Sequence, residues 1–355
     1  MIGGSSTESH LSATMTTEEI DKTQATGGND ITSSSVKGAG FYMQCAVIFI
    51  GVVGIAGNAL ILYALVASKQ HKKHALIVNQ NALDLFSSFF LVVTYSVMIC
   101  DIRLTGTSGY WLCVVLLSEN LIWWGTNGSM LNLAVITIDR YLKVVHPVWS
   151  RKYLRPWVIN AAMAFSWFLA IIYNTIVVFF SSAVIDGVCH SYEIFPSHVD
   201  NLAAGIWYIL FFYVAILVIF IICYWRILVA IRRQARVMAS HGRPTTGSST
   251  AQTQSNQIQS NVIKTMILVS VLYAVAWLPY NVYCILSTTI LVPSVTFYDI
   301  GYFATSFLAF FYTGANPFIY ATKFHPVRKI LEKMIPCKKN TVQPTSTATA
   351  NLPAV

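Results

Sequence analysis

Four ionisable side chains stand where the chain around them is almost wholly apolar: Asp84, within Asn79-Gln80-Asn81-Ala82-Leu83-Asp84; Glu119; and the adjacent pair Asp139-Arg140, followed by Tyr141. A charge at bilayer depth costs several kcal/mol on most scales, so such a group faces a helix-bundle interior or a wet cavity and carries function by default. Asp84 is either a protonated acid hydrogen-bonded between helices, or part of a proton or cation site shared with Asn58, Ser129 and Asn316, polar residues at comparable depth in three other apolar stretches. Oxygen ligands from several helices suit a hard monovalent cation. Glu119 either reaches up to interfacial water or is the anionic contact of a ligand cavity. Enzyme chemistry finds no foothold. The eight histidines include no His-Glu-x-x-His spacing, no nucleophile stands with a base, and the seven cysteines are too dispersed for a metal cluster.

The elements that must position these groups follow from composition. The chain is 55% hydrophobic and only 10% charged, against about 25% charged in an ordinary soluble domain. Seven apolar stretches have spanning length: about 41–67, 75–100, 111–145, 157–183, 202–231, 262–290 and 297–321. The third contains the roughly 27 residues from Cys113 to Asp139, which at about 1.5 Å per residue cover about 40 Å. We therefore expect an all-α membrane protein, a seven-transmembrane helix bundle over 41–321. An extracellular N-terminus, 1–40, is too polar to fold and is expected to be disordered. A short amphipathic helix 8 is expected over 322–337, a disordered cytosolic tail over 338–355, and a flexible linker from Ala239 to Ser260.

Charge sorts these stretches by side. With residues 1–40 outside, 20 of the 23 basic residues fall on the opposite face, and only Lys22, Lys37 and Arg103 do not. The positive-inside rule then places the N-terminus outside and the C-terminus in the cytosol of a multi-pass plasma-membrane protein. The net charge of +9 reads as topology and attraction to anionic membrane lipid, not as a nucleic-acid footprint. A channel or transporter would need a continuous polar path or repeated broken helices, and the Asp84 group alone supplies neither.

Proline marks two bends. Pro279, in Ala276-Trp277-Leu278-Pro279, and Pro317, in Asn316-Pro317-Phe318-Ile319-Tyr320, each remove a backbone hydrogen bond and offer a pivot. In chain order the motifs are Gly57-Asn58, Leu83-Asp84, Asp139-Arg140-Tyr141, Trp167, Tyr224, Trp277-Leu278-Pro279, Asn316-Pro317-Phe318-Ile319-Tyr320 and Phe324. Together they resemble the rhodopsin-like (class A) G-protein-coupled receptors over residues 40 to 337.

The resemblance implies roles. Arg140 would engage a heterotrimeric G protein, with Asp139 restraining it beforehand, and Tyr141 completes that motif. Tyr224 and Tyr320 would support the active state, and Trp277 would sense an extracellular ligand. Asn58, Asp84, Ser129 and Asn316 match a sodium and water network in which Asp84 is the sodium ligand, so an allosteric sodium ion is the one cofactor implied. Cys113 and Cys189 match a disulfide between the third span and the second outer loop, and arrestin joins the implied partners. Cys337, beside Lys338-Lys339, is placed for palmitoylation or stands as a free thiol.

Departures from the family bear on mechanism. Ile216 stands where proline is usual, Tyr273 replaces phenylalanine, and Ala276 replaces a frequent cysteine. The stretch from Cys113 to Arg140 is about two residues longer than usual, enough to turn a regular helix by roughly 200°. No acid occurs between Asp200 and Asp299 to pair with Arg140 from the sixth span. A missing cross-helix pair shifts the inactive-to-active balance by about 1 kcal/mol, so raised basal signalling is expected. The 297–321 stretch has no lysine for a retinal Schiff base. Where amine receptors carry aspartate, counting back from Arg140 reaches Ile122. Glu119, Trp123, Tyr280, Tyr283, Tyr302 and Ser306 are the ligand-pocket candidates. An excess of outer acid favours a small peptide, with an amine held through Glu119 as the alternative, or a constitutively active receptor without a ligand.

Overall fold

The computed structural model describes residues 15–192, 195–240, 249–288, 300–323, 327–328 and 330–331. Phe324, Cys337, the tail 338–355 and most of the expected helix 8 lie outside the described residues. The chain runs through α1 (Met15–Ala67), α2 (Ala75–Ile99), α3 (Gly106–Leu112), α4 (Asn120–Val145), α5 (Pro147–Tyr153) and α6 (Pro156–Ser181). Strands β1 (Ala183–Ile185) and β2 (Val188–His190) follow, then α7 (His198–Tyr208), α8 (Ala215–Ser240), α9 (Ser249–Thr288) and α10 (Ile300–Lys323). Two π-helical turns, Cys113–Leu117 and Ile209–Val214, join α3 to α4 and α7 to α8. The third span is thus α3 with α4, and the fifth is α7 with α8.

Five spans among the described residues are long and apolar enough to cross a membrane on those grounds alone: Gly40–Ala67, Ala75–Ile99, Pro156–Ser181, Val199–Gln234 and Ile263–Ser287. The third and seventh spans fall outside that set and are rich in buried polar groups. Thr126, Asn127, Ser129, Asn132 and Thr137 on α4, with Ser306, Thr313 and Asn316 on α10, are all buried. Hydrocarbon offers such groups no partner, which is why they face the interior. The outward faces are the reverse: Phe165, Phe168, Ile176 and Phe179 of α6 and Ile221, Ile222 and Trp225 of α8 are exposed, as lipid contact requires. The α4 helix packs against α2, α6 and α8, while α1 closes on α2 and α10, and α9 on α10.

The extra length of the third span is absorbed in one place. In the first π turn the Ser118 N–H reaches the Cys113 carbonyl, five residues back, at 2.8 Å. Glu119 follows in the left-handed region, φ 60° and ψ 14°, a conformation that costs an L-residue about 1 kcal/mol or more. From Asn120 to Val145 the helix is regular, so positions counted back from Arg140 hold their register as far as Asn120. The second π turn, Ile209–Val214, ends two residues before Ile216.

Two expectations are corrected. Residues 15–39, read as part of a disordered N-terminus, continue α1 as helix; the chain has no proline before Pro147, so nothing forces a break there. The apolar part of α1 begins at Gly40. The Ala239–Ser260 linker is likewise helical from Ser249 onward, where its glutamines and Ala251 are good helix formers.

Gly125 is where α4 meets α2 most closely. A Cβ there would lie 2.9 Å from the Leu83 carbonyl oxygen and 2.5 Å from Ser87 Oγ. Backbone cannot yield as a side chain can. Gly125→Ala should cost about 1–3 kcal/mol of stability, read as a lower melting midpoint of the detergent-purified protein, and an unchanged midpoint would refute this packing.

Candidate functional site

At the Cys113 end, a hairpin caps the bundle. Asp186 and Gly187 both take positive φ, 52° and 79°, as a two-residue turn between β1 and β2 demands. The register sets Val184 opposite Cys189. Cys189 is disulfide-bonded to Cys113, with Cα atoms 5.3 Å apart, and the Gly187 carbonyl accepts from Leu104 N–H at 2.9 Å. The hairpin is thereby tied to the third span and to the loop before it. Sequence reasoning passed over this hairpin, although Asp-Gly between Val184-Ile185 and Val188 is a standard hairpin signal.

Glu119 sits below the hairpin and is completely buried. It does not reach interfacial water. Its Oε1 accepts from Tyr95 Oη at 2.6 Å, and its Oε2 from Tyr302 Oη at 2.7 Å and Trp123 Nε1 at 3.2 Å. Three spans thus converge on one carboxylate. Above it opens a cavity walled by Trp123, Tyr173, Tyr192, Tyr208, Tyr280 and Tyr302, with Asn174 and Asn201 also on its surface. Of the sequence candidates, Trp123, Tyr280 and Tyr302 line it; Glu119, Tyr283 and Ser306 are buried behind the wall. Tyr95, Tyr173 and Tyr208 were missed because tyrosines of the apolar belts look alike in sequence.

Trp277 forms the cavity floor's second layer. Its ring centroid lies 5.9 Å from Trp123, 5.7 Å from Tyr280 and 6.4 Å from Tyr273. Pro279 is inside α9 two residues further on, and Pro317 is inside α10.

Midway along the bundle a chain of hydrogen bonds crosses four spans. Trp167 Nε1 donates to Asn79 Oδ1 at 3.0 Å, Asn79 Nδ2 to Asn132 Oδ1 at 2.9 Å, and Asn132 Nδ2 to Gln80 Oε1 at 2.8 Å. Gln80 Nε2 then donates to Ser129 Oγ, which donates to Asp84 Oδ1 at 2.6 Å. Asn316 Nδ2 reaches the other carboxylate oxygen at 3.0 Å. Ser129 and Asn316 therefore do meet at Asp84. Asn58 is held apart from this chain, its Nδ2 donating to the carbonyls of Gly54 at 2.9 Å and Thr313 at 3.4 Å. Gln80, absent from the residues expected at this site, is the link that carries the chain from Asn132 to Ser129.

At the Arg140 end, Asp139 is buried and Lys143, one turn on, holds both its carboxylate oxygens, at 2.8 and 2.9 Å. Arg140 Nε lies 3.6 Å from the same carboxylate, beyond hydrogen-bond reach. The expected Asp139–Arg140 restraint is thus a weak one, because a better-placed cation has taken the acid. Tyr141 Oη pairs with His146 Nε2 at 3.2 Å. Tyr224 Oη bridges α4 and α9, 3.1 Å from both Thr137 Oγ1 and Ser270 Oγ, and Tyr320 is buried.

Comparison with known proteins gives a consistent picture. Residues 57–320 match the family described as 7 transmembrane receptor (rhodopsin family). Melanopsin-A of Gadus morhua is 26% identical over 333 residues, 90% of this chain and 57% of that protein. The chain thus spans little more than half the length of that relative. Somatostatin receptor type 5 of Bos taurus is 24% identical over 297 residues, 81% of this chain and 74% of that one. The crystal structure of squid rhodopsin superposes with a TM-score of 0.69 at 17% identity, covering 84% of this chain and 85% of that chain. At such identity the likeness is one of fold.

The cationic surroundings of Arg140 extend to His74, in the turn before α2. Burial, then the charges of Arg140, Lys73 and Lys143, lower its pKa from 6.5 to about 4. The folded protein therefore binds fewer protons than the unfolded chain between those values. Stability should be full above about pH 6.5 and fall as the pH drops toward 4. In His74→Gln that part of the decline should vanish, as followed by melting midpoint against pH; an unaltered profile would exclude His74 as its source.

Proposed function

The chain belongs to the rhodopsin family of seven-transmembrane receptors, a multi-pass protein of the plasma membrane and a receptor rather than an enzyme, and on that premise we propose that it binds an extracellular ligand at the Cys113 end and activates a heterotrimeric G protein at the Arg140 end. The N-terminus lies outside and the C-terminus in the cytosol, a reading supported by the 20 of 23 basic residues gathered on one face. The ligand is a small peptide. An open aromatic cavity, the acidic residues Asp101, Asp186 and Asp200 at that end, and a relative named for somatostatin support this choice. The melanopsin likeness does not carry over to light sensing. From Ile300 to Thr322 the seventh span has no lysine to hold a retinal Schiff base.

The observation that carries the signalling reading is the state of Arg140. It lies 3.6 Å from an acid already taken by Lys143, and the sixth span offers no acid in its place. Arg140 is thereby left for a partner at the exposed end of the bundle, with arrestin as a second claimant on the same face. Basal activity is raised for the same reason. Tyr224, bonded to both α4 and α9, resists their separation until Trp277 and the Pro279 pivot move.

Asp84 would be the centre of a sodium site. Its carboxylate, the Ser129 hydroxyl and the buried, unpartnered side-chain oxygen of Asn316 form a donor set that fits a hard monovalent cation. Bound there, sodium would supply a charge that holds the inactive arrangement of these helices. Stabilisation by sodium chloride over choline chloride should disappear in Asp84→Asn; if the variant keeps the sodium effect, the ion acts elsewhere.

Guanine-nucleotide exchange on purified G protein, with receptor in lipid nanodiscs, tests the whole reading. Wild-type receptor should accelerate exchange without added ligand, and Arg140→Ala should reduce this to the receptor-free rate. Lys143→Met returns Asp139 to Arg140, and a restraint regained at about 1 kcal/mol lowers basal exchange about fivefold. A basal rate that Arg140→Ala leaves intact would reject the coupling site.

A further inference from the structure

The fifth and sixth spans meet along a seam that hydrogen bonds close from both sides. Tyr273 on α9 sends its hydroxyl across to the carbonyl of Phe212, in the π turn of the fifth span. One residue further along that turn, Tyr213 sends its own hydroxyl back to the carbonyl of Ala274, at 2.9 Å. Residues 212–213 thus face residues 273–274, and each side supplies one phenol and one backbone carbonyl. The two tyrosine rings lie 6.0 Å apart between centroids. Both bonds end on backbone, so they fix the helices themselves and not only their side chains. Otherwise α9 packs chiefly on α10 and α7. Toward the Arg140 end, Tyr224 to Ser270, at 3.1 Å, is a further tie across the same seam.

Tyr273 stands one helical turn before Trp277 and six residues before Pro279, on the part of α9 that a bend at the proline would swing. Its ring is fully buried and held on three sides, with centroids 6.4 Å from Trp277, 5.8 Å from Tyr312 and 5.7 Å from Phe220. A shift of Trp277 therefore presses on it directly. Lipid offers its hydroxyl no partner once it leaves the Phe212 carbonyl. The other acceptor it meets is the Met130 sulfur on α4, at 3.8 Å, and a thioether accepts only weakly. Tyr273 thus has one strong position and one weak one. The phenylalanine usual in the family at this place could make neither bond.

We propose that residues 212–213 and 273–274 form a reciprocal clasp that holds the Arg140-side half of α9 against the fifth span, and that signalling requires it to open. The assignment rests on the reading of this chain as a receptor that activates a G protein, and it names a contact that keeps α9 closed. The two bonds act as a unit. Both join the same two short backbone segments, so while one is made the donor and acceptor of the other are held together, and when one is lost the other weakens. The aromatic cavity reaches the clasp through packed rings, since Trp123 lies 5.9 Å from Trp277 and Trp277 lies 6.4 Å from Tyr273. A ligand that displaces Trp277 acts on the clasp without touching it.

Tyr273→Phe and Tyr213→Phe keep the rings and remove only the hydroxyls. With full-length receptor in lipid nanodiscs, each should raise basal nucleotide exchange on G protein about fivefold. The double variant should exceed the larger single effect by no more than about twofold, the signature of coupled bonds. Spin-labelled unnatural residues at Arg232 and Lys264, both exposed and near the Arg140 ends of their spans, give a second readout by pulsed electron resonance. Each variant should there add a longer distance to the one seen in wild type. Effects that multiply in the double variant overturn the clasp. Longer distances in a receptor that drives no exchange support the clasp and remove the signalling reading. Wild-type exchange that both single variants match in rate and in distance removes the clasp and leaves the signalling reading standing.

Discussion

A polar group inside this bundle can look only to protein for a partner, because the hydrocarbon around it supplies none. That constraint explains why the interior is organised around two carboxylates. Asp84 is met by Ser129 and Asn316, and Glu119 by Tyr95, Tyr302 and Trp123. The second, third and seventh spans each contribute to both sites, so the helices are registered to one another by directional bonds as well as by packing. Apolar contacts alone would let such helices slide, since lipid is as good a neighbour for leucine as another helix is.

The third span reconciles two demands that a straight helix could not meet. One end is tied by Cys113 to the hairpin, and the other presents Asp139 and Arg140 at a fixed angle. The π turn and left-handed Glu119 take up the surplus length between them. The irregularity is confined to the Cys113 end, and the regular helix beyond it carries the Asp84 contact and the Arg140 end without disturbance.

Much of this was legible in the residues themselves. Charges in apolar runs marked Asp84, Glu119 and Asp139-Arg140, because the energetic cost of such placement leaves little choice of role. The meeting of Ser129 and Asn316 at Asp84 also followed from depth along each span. What could not be read was partner choice. An i,i+4 spacing allows Lys143 to pair with Asp139, yet only geometry shows Lys143 ahead of Arg140. Depth alone put Asn58 with Asp84, whereas its amide is used on carbonyls of its own helix and of the seventh span. The three donors around Glu119 come from residues 24 and 183 positions away, as well as from its own helix, and a one-dimensional pattern gives no reason to choose Tyr95 or Tyr302 from their aromatic neighbours.

The hydrogen-bonded chain through Gln80 has a polarity. An indole N–H can only donate and an ionised carboxylate can only accept, so Trp167 at one end and Asp84 at the other orient every amide between them the same way. The chain is a one-way conductor of hydrogen-bond direction, blocked at its tryptophan terminus. A proton arriving on Asp84 cannot be answered by reversing that row. It can be received by the second lone pair of Ser129 Oγ, or on the other side by the unpartnered side-chain oxygen of Asn316. Asn316 immediately precedes Pro317, inside the seventh span, so the buried acid shares a hydrogen bond with a side chain beside the proline.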